Sequence, residues 1–223
     1  MEYYLLLFNN LLANYLKSVF LGKDMTRVSI RKILQALYYI QSSPLAGNRG
    51  CYYMFLLKIL YFADRYHLRH YGFIASSDTY VAMKLGPVAS TTFDIVRGKM
   101  PSSANSAEIG LLNEISASEE YAISIKEQDT DELSESFKEA LDFALKEYGQ
   151  YDQFTLSNMT HDYPEWKEQK RFLGNGVNQV PMNIPSFFDN PQKLEYSEID
   201  PYADDDPELL ACFKEDFSNA TSC

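Results

Sequence analysis

The residues of this chain best suited to chemistry are His67, His70 and His161, the cysteines Cys51, Cys212 and Cys223, and the carboxylate Asp64. Asp64, His67 and His70 follow one another at intervals of three, so on a helix they share a face and in principle bridge a divalent metal. Such a site needs three or four ligands, and no others follow at a familiar spacing. The same Asp–His spacing on a partly buried helix also serves to orient a side chain or tie down a loop, and this is the reading adopted: no metal and no cofactor is expected. His161 could activate a thiol, but Cys51 opens a helix beside a loop and Cys212 lies in an acidic stretch that disfavours the thiolate. No Gly-x-Gly-x-x-Gly or Gly-x-x-x-x-Gly-Lys pattern follows a strand, so a phosphate cradle is missing too. The expectation is a protein that is not an enzyme.

The scaffold that must position these residues is well supplied with apolar side chains. With 223 residues, 46% of them hydrophobic and 14% aromatic, the chain can bury a sizeable core as one domain with extensions at either end. Three scattered cysteines suit neither a disulfide framework nor a zinc site, so a cytoplasmic location is expected. The apolar opening is led by Glu2 and trailed by Lys17, the reverse of a secretory leader, and Asn9, Asn10, Asn14 and Lys17 interrupt it, so no membrane span is expected.

Hydrophobic periodicity predicts a helix over 3–21, carrying Leu5, Phe8, Leu12, Leu16 and Val19, and another over 27–41 with Ile30, Ile33, Leu34 and Leu37 on one face. Residues 42–50 form a loop. A third helix, 51–70, is apolar over more than half its circumference, with Lys58, Arg65 and Arg69 along the remaining stripe and Gly72 as its stop. Alternation predicts a strand over 79–85, closed by a turn at Gly86-Pro87, with a helix from Val88 to Arg97. Residues 101–106 read as loop, and 121–126 as a second strand able to pair antiparallel with 79–84. A helix capped by Asp129 and Glu132 runs to Gly149; a shorter one covers 152–159, and Pro164 opens another that carries Trp166. The fold class is therefore mainly α (α+β): a compact helical domain with a small two- or three-stranded antiparallel β element.

Charge is unevenly spread. Residues 1–100 carry 12 Lys/Arg against 5 Asp/Glu, whereas residues 101–223 carry 8 against 26. The acidic half repels phosphate backbones, so nucleic acid is disfavoured as a partner and a basic protein suits it better. After Gly176 the chain becomes rich in Asn, Pro and acid, which predicts an extended segment with one short helix over 207–213.

Several blocks in order resemble the Panacea-domain (SocA-like) antitoxins. They are Lys58 to Asp64 (KILYFAD), His67-Leu68, Tyr71-Gly72, Asp78, Tyr80-Val81-Ala82, Gly86-Pro87-Val88 and Phe93-Asp94, followed by Leu156-Ser157, Thr160-His161 and Pro164 to Trp166. Glu165 stands between Pro164 and Trp166, which the family pattern usually has adjacent. The resemblance implies a bacterial or phage antitoxin that binds and neutralises a cognate protein toxin, and a division into an N-terminal amphipathic extension (1–25), a Panacea domain (26–175) and an acidic, partly extended tail (176–223). The family-motif residues Asp64, His67, Gly86, Pro87, His161 and Trp166 are its candidates for fold stability or partner contact. Direct occlusion of the toxin by the two flanks is the first expectation. An adaptor delivering the toxin to a cytoplasmic protease is the alternative, and an enzyme using Asp64, His67 and His161 is the third.

Overall fold

The computed structural model describes residues 28–99, 101, 108, 110–117 and 121–220. The helix expected over 3–21 and most of the loop at 101–106 lie outside them. The fold is mainly α with small antiparallel sheets, as expected.

Helix α1, Ile30–Ser42, starts where Ser29 Oγ accepts a hydrogen bond from Lys32 N (3.2 Å) and buries Ile33, Leu34, Leu37 and Ile40. Helix α2, Tyr53–Tyr71, follows a 3₁₀ turn at Gly47–Cys51 and is the axis of the molecule. It ends at Gly72, whose φ of +80° is a left-handed conformation that glycine adopts without steric cost. The remaining stripe of Lys58, Arg65 and Arg69 is also buried. Lys58, Arg65 and Arg69 are each at most 1% exposed, because groups far along the chain return to pair with them.

The first strand, β1 (Tyr80–Met83), is shorter than expected, and Gly86-Pro87 is not its turn. Lys84 and Leu85 make a two-residue loop, and Gly86-Pro87 begins a returning strand, β2 (Gly86–Ala89), paired with β1 from Met83↔Gly86 to Tyr80↔Ala89. Pro87, which lacks an N–H, sits in an outer strand of the three-stranded order, where one less ladder bond is tolerated. Helix α3 is consequently only Ser90–Val96. The expected pairing of 79–84 with 121–126 does not form, since closing a two-residue loop costs far less entropy than closing one of about forty. Instead β3 (Ile115–Ala117) and β4 (Ile123–Ile125) pair with each other.

Helix α4, Glu135–Tyr148, begins later than expected: Ser134 Oγ caps it by accepting from Phe137 N (3.1 Å). Asp129 and Glu132 do not form the expected box. They belong to a loop held by Gln35 of α1, whose amide donates to Asp129 and Asp131 and whose carbonyl accepts from Glu132 N (2.9 Å). Helix α5, Gln153–Thr160, is capped by Asp152, and α6, Pro164–Lys170, starts on its proline.

The stretch after Gly176 returns to the core. β5 (Gln179–Pro181) adds to the free side of β1, a 3₁₀ turn at Ile184–Phe188 buries Phe187 and Phe188, Tyr202 is fully buried, and α7 runs over Pro207–Ala220, past the expected stop near 213. Phe213 of α7 lies against Gly72, where an added Cβ would come within 3.0 Å of its ring.

Candidate functional site

The β1–β2 hairpin leaves three main-chain carbonyls at and beside its turn, and each is met by a different side chain. Trp166 Nε1 donates to Met83 O (2.9 Å), Ser157 Oγ to Leu85 O (2.8 Å) and Lys58 Nζ to Pro87 O (2.8 Å). The donors come from α6, α5 and α2, so the hairpin is the piece on which three helices converge. Unmet buried carbonyls would each cost on the order of 1–3 kcal/mol, which gives this arrangement its weight. Gly86 has φ +96°, and a Cβ there would sit 2.2 Å from Thr160 Oγ1 and 2.8 Å from Lys58 Nζ. The residue must be glycine for both reasons. Burial lowers the Lys58 ammonium to about 7, near neutrality.

His161 stacks face to face on Trp166, with ring centroids 3.7 Å apart at 16°, and its buried Nε2 has no hydrogen-bond partner. Burial, with the nearby Lys58 charge, pushes its pKa down to about 4. The ring is therefore a neutral stacking plate. Gly86, Pro87, His161 and Trp166 thus gather in one place.

Asp64 and His67 face elsewhere. The fully buried Asp64 accepts from Ser76 N (2.9 Å), Ser76 Oγ and Tyr80 OH (2.7 Å), fixing the chain between α2 and β1. Burial raises its carboxyl to about 6, against the pull of those hydrogen bonds. His67 is held between Phe73 O (2.8 Å at Nδ1) and Ser136 Oγ (3.0 Å at Nε2), and burial lowers it to about 4. No hydrogen bond links Asp64, His67 and His161 into a relay, and among the described residues no group of three or more His, Cys, Asp or Glu could hold a metal.

Other polar residues do as much for the architecture and were harder to see. Asp78 accepts from Thr91 N (3.0 Å), Thr92 N (2.7 Å) and Thr92 Oγ1 (2.8 Å), capping α3 from outside the helix, where a carboxylate suits the helix dipole. Asp162 collects the N–H groups of Glu195 (2.7 Å), Tyr196 (3.1 Å) and Ser197 (3.0 Å). Arg65 and Glu165 form a fully buried ion pair, with Tyr61 OH also donating to Glu165 (2.6 Å) and Arg65 reaching Asp189 O (2.9 Å). Arg69 pairs with Asp205 and donates to Phe187 O (3.1 Å), Asn190 Oδ1 (2.7 Å) and Tyr202 O (3.3 Å). Glu165, which looked like an insertion between Pro164 and Trp166, is the counter-ion of α2. Only the arginines on a largely apolar helix hinted at such partners.

Among the described residues no helix is long and apolar enough to cross a membrane. The family model described as "Antitoxin SocA-like, Panacea domain" matches residues 56–167, which contain the hairpin and all three of its donors. No curated protein and no solved structure matches the chain.

Proposed function

Because the chain belongs to the SocA-like antitoxin family through its Panacea domain, we propose that it binds and neutralises a cognate protein toxin by direct protein–protein contact in the cytoplasm. The family match over residues 56–167 carries the reading. The internal engagement of the motif residues supports it: Asp64, His67 and Trp166 each spend their polar atoms on the protein's own backbone or side chains, as a binding scaffold requires. Binding energy then has to come from surfaces around the hairpin and not from a reactive centre.

Co-expression with the product of the adjoining gene tests this. The expected result is that the neighbour arrests growth alone, that growth returns when this chain is present, and that the two purify together with the toxin undegraded. A neighbour that is harmless alone, or that stays toxic beside this chain, overturns the reading. Rescue accompanied by protease-dependent loss of the toxin would assign the adaptor role instead.

A further inference from the structure

We propose that a trench crossing α3 is where this protein holds its partner, and that it accepts a short acidic peptide segment bearing an aromatic or aliphatic anchor. The proposal deepens the neutralisation reading and rests on it.

Two concavities, of about 550 and 370 Å³, meet at Phe93 and Arg97. One side is built from Val81 and Met83, on the half-exposed face of β1, with Val177 and Gln179 beyond them. The other is built from Tyr53, Tyr121 and Ile123. Tyr53 links its neighbours, tilted against Phe93 at 6.4 Å and edge-on to Tyr121 at 5.9 Å between centroids, so aromatic surface runs along the trench. None of the six motif residues lines it.

Three features show that the trench is made for an occupant and of what kind. Tyr121 is 69% exposed and is held at φ +62°, a conformation costly for a residue with a large side chain, so backbone strain is stored in turning this ring outward. Val177 is 46% exposed on the opposite side, giving the trench apolar rims as well as an aromatic floor. The charge is the third. In a chain of net charge -11, the charged side chains lining the trench among the described residues are Arg97, Lys99 and Asp94. Arg97 lies over the Phe93 ring (5.0 Å), and neither cation has a carboxylate within 4 Å among the described residues. Two cations beside apolar surface fit a segment that brings a carboxylate next to a buried side chain. Two cations are too few to hold a nucleic-acid backbone against the acidic remainder of the chain.

The test uses the full chain co-expressed with its cognate toxin, with a photo-crosslinking benzoylphenylalanine placed at Tyr121 or, as the comparison, at Ile199, which is 75% exposed on the far C-terminal stretch. The expected result is a crosslink from position 121 to a toxin segment containing Asp or Glu beside an aromatic or aliphatic residue. Arg97→Glu, an exposed change whose folding is checked by thermal melting, should weaken toxin binding by about tenfold or more, with recovery when the crosslinked carboxylate is changed to Lys. Crosslinks confined to position 199, or full binding by Arg97→Glu, overturn the assignment. So does displacement of the toxin by oligouridylate that depends on Arg97. A toxin held in the trench without restored growth would instead refute neutralisation and leave the docking site standing, whereas the absence of any complex removes both.

Discussion

The hydroxyl of Tyr202 donates to the main-chain carbonyl of Phe62, 2.9 Å away and 140 residues earlier in the chain. A residue outside the family-matched span therefore plugs into the middle of the helix that carries the family block. Tyr202→Phe keeps the ring and loses one buried hydrogen bond, at an expected cost of about 1 kcal/mol. Tyr202→Ala also leaves a cavity between Phe143 and Tyr163 and should cost about 3–5 kcal/mol. Urea unfolding of the two variants separates these contributions.

The same dependence decides where the chain can be shortened. Ending it after Gly176 takes away Phe187 O, Asn190, Tyr202 O and Asp205, the partners of Arg69, and leaves a buried guanidinium unpaired. That truncation is expected not to fold. Ending after Asp206 removes only α7 and the Lys214–Asp189 pair, and should give a folded protein with a lower melting temperature. Circular dichroism of both truncations checks the contrast, and the second is the form in which to ask whether the C-terminal end governs toxin turnover.

Gly86→Ala meets both a positive φ and a clash at 2.2 Å with Thr160 Oγ1. The φ strain alone costs about 1–3 kcal/mol. Adding Thr160→Ala removes the hydroxyl oxygen and should recover only the steric cost due to Thr160; the approach to Lys58 Nζ and the φ strain remain, leaving the double variant still less stable than the parent. Equal stability of parent and Gly86→Ala would refute the account of the hairpin.

The buried pair of Arg65 and Glu165 gives a test of opposite form. Glu165→Leu alone strands a charge and should destabilise by about 3–5 kcal/mol. Replacing both, as Arg65→Met with Glu165→Leu, should recover most of the loss, because an apolar pair of similar volume escapes the desolvation penalty. A double-mutant cycle by chemical denaturation measures the coupling.

Acid sensitivity follows from several shifted groups. His67 and His161 stay neutral in the folded protein down to about pH 4, while the unfolded chain binds their protons below about 6.5, so their contribution is present above 6.5 and is lost as pH falls. Asp64 acts in the opposite sense. Its folded pKa of about 6 exceeds the ordinary 3.8, so its contribution is present at low pH and is lost as pH rises through 6. The two histidines take up protons on unfolding near pH 5, whereas Asp64 and Glu165, both raised by burial, release them, so the histidines' own share is a fall in stability between pH 6.5 and 5. His161→Phe keeps the stack on Trp166 and should make that fall shallower by one proton. Unfolding free energies at the two pH values check it.

Much of this architecture could be read from the chain. The apolar circumference of α2, the stop at Gly72, the short helix beginning near Asp152 and the opening of α6 by Pro164 are all local signals, in which a residue type and its near neighbours decide the structure. Long-range pairings were less accessible. The destinations of Lys58, Arg65 and Arg69 could not be read because their partners lie far along the chain, at Pro87, Glu165, Phe187 and Asp205. The motif residues stood out from the sequence, but the division between the hairpin group and the separate Asp64 and His67 did not. It depends on which neighbour each face of α2 meets.

The pairing of several acidic residues also changes how the molecule looks from a distance. Glu165, Asp189 and Asp205 are matched to Arg65, Lys214 and Arg69, and Asp162 is wrapped by main-chain N–H groups. At long range each matched pair contributes little more than a dipole, whose potential dies away faster than that of a lone ion. A charged partner diffusing toward this surface would be steered by less than the formal count of carboxylates suggests, and its capture rate should show a correspondingly gentle dependence on ionic strength.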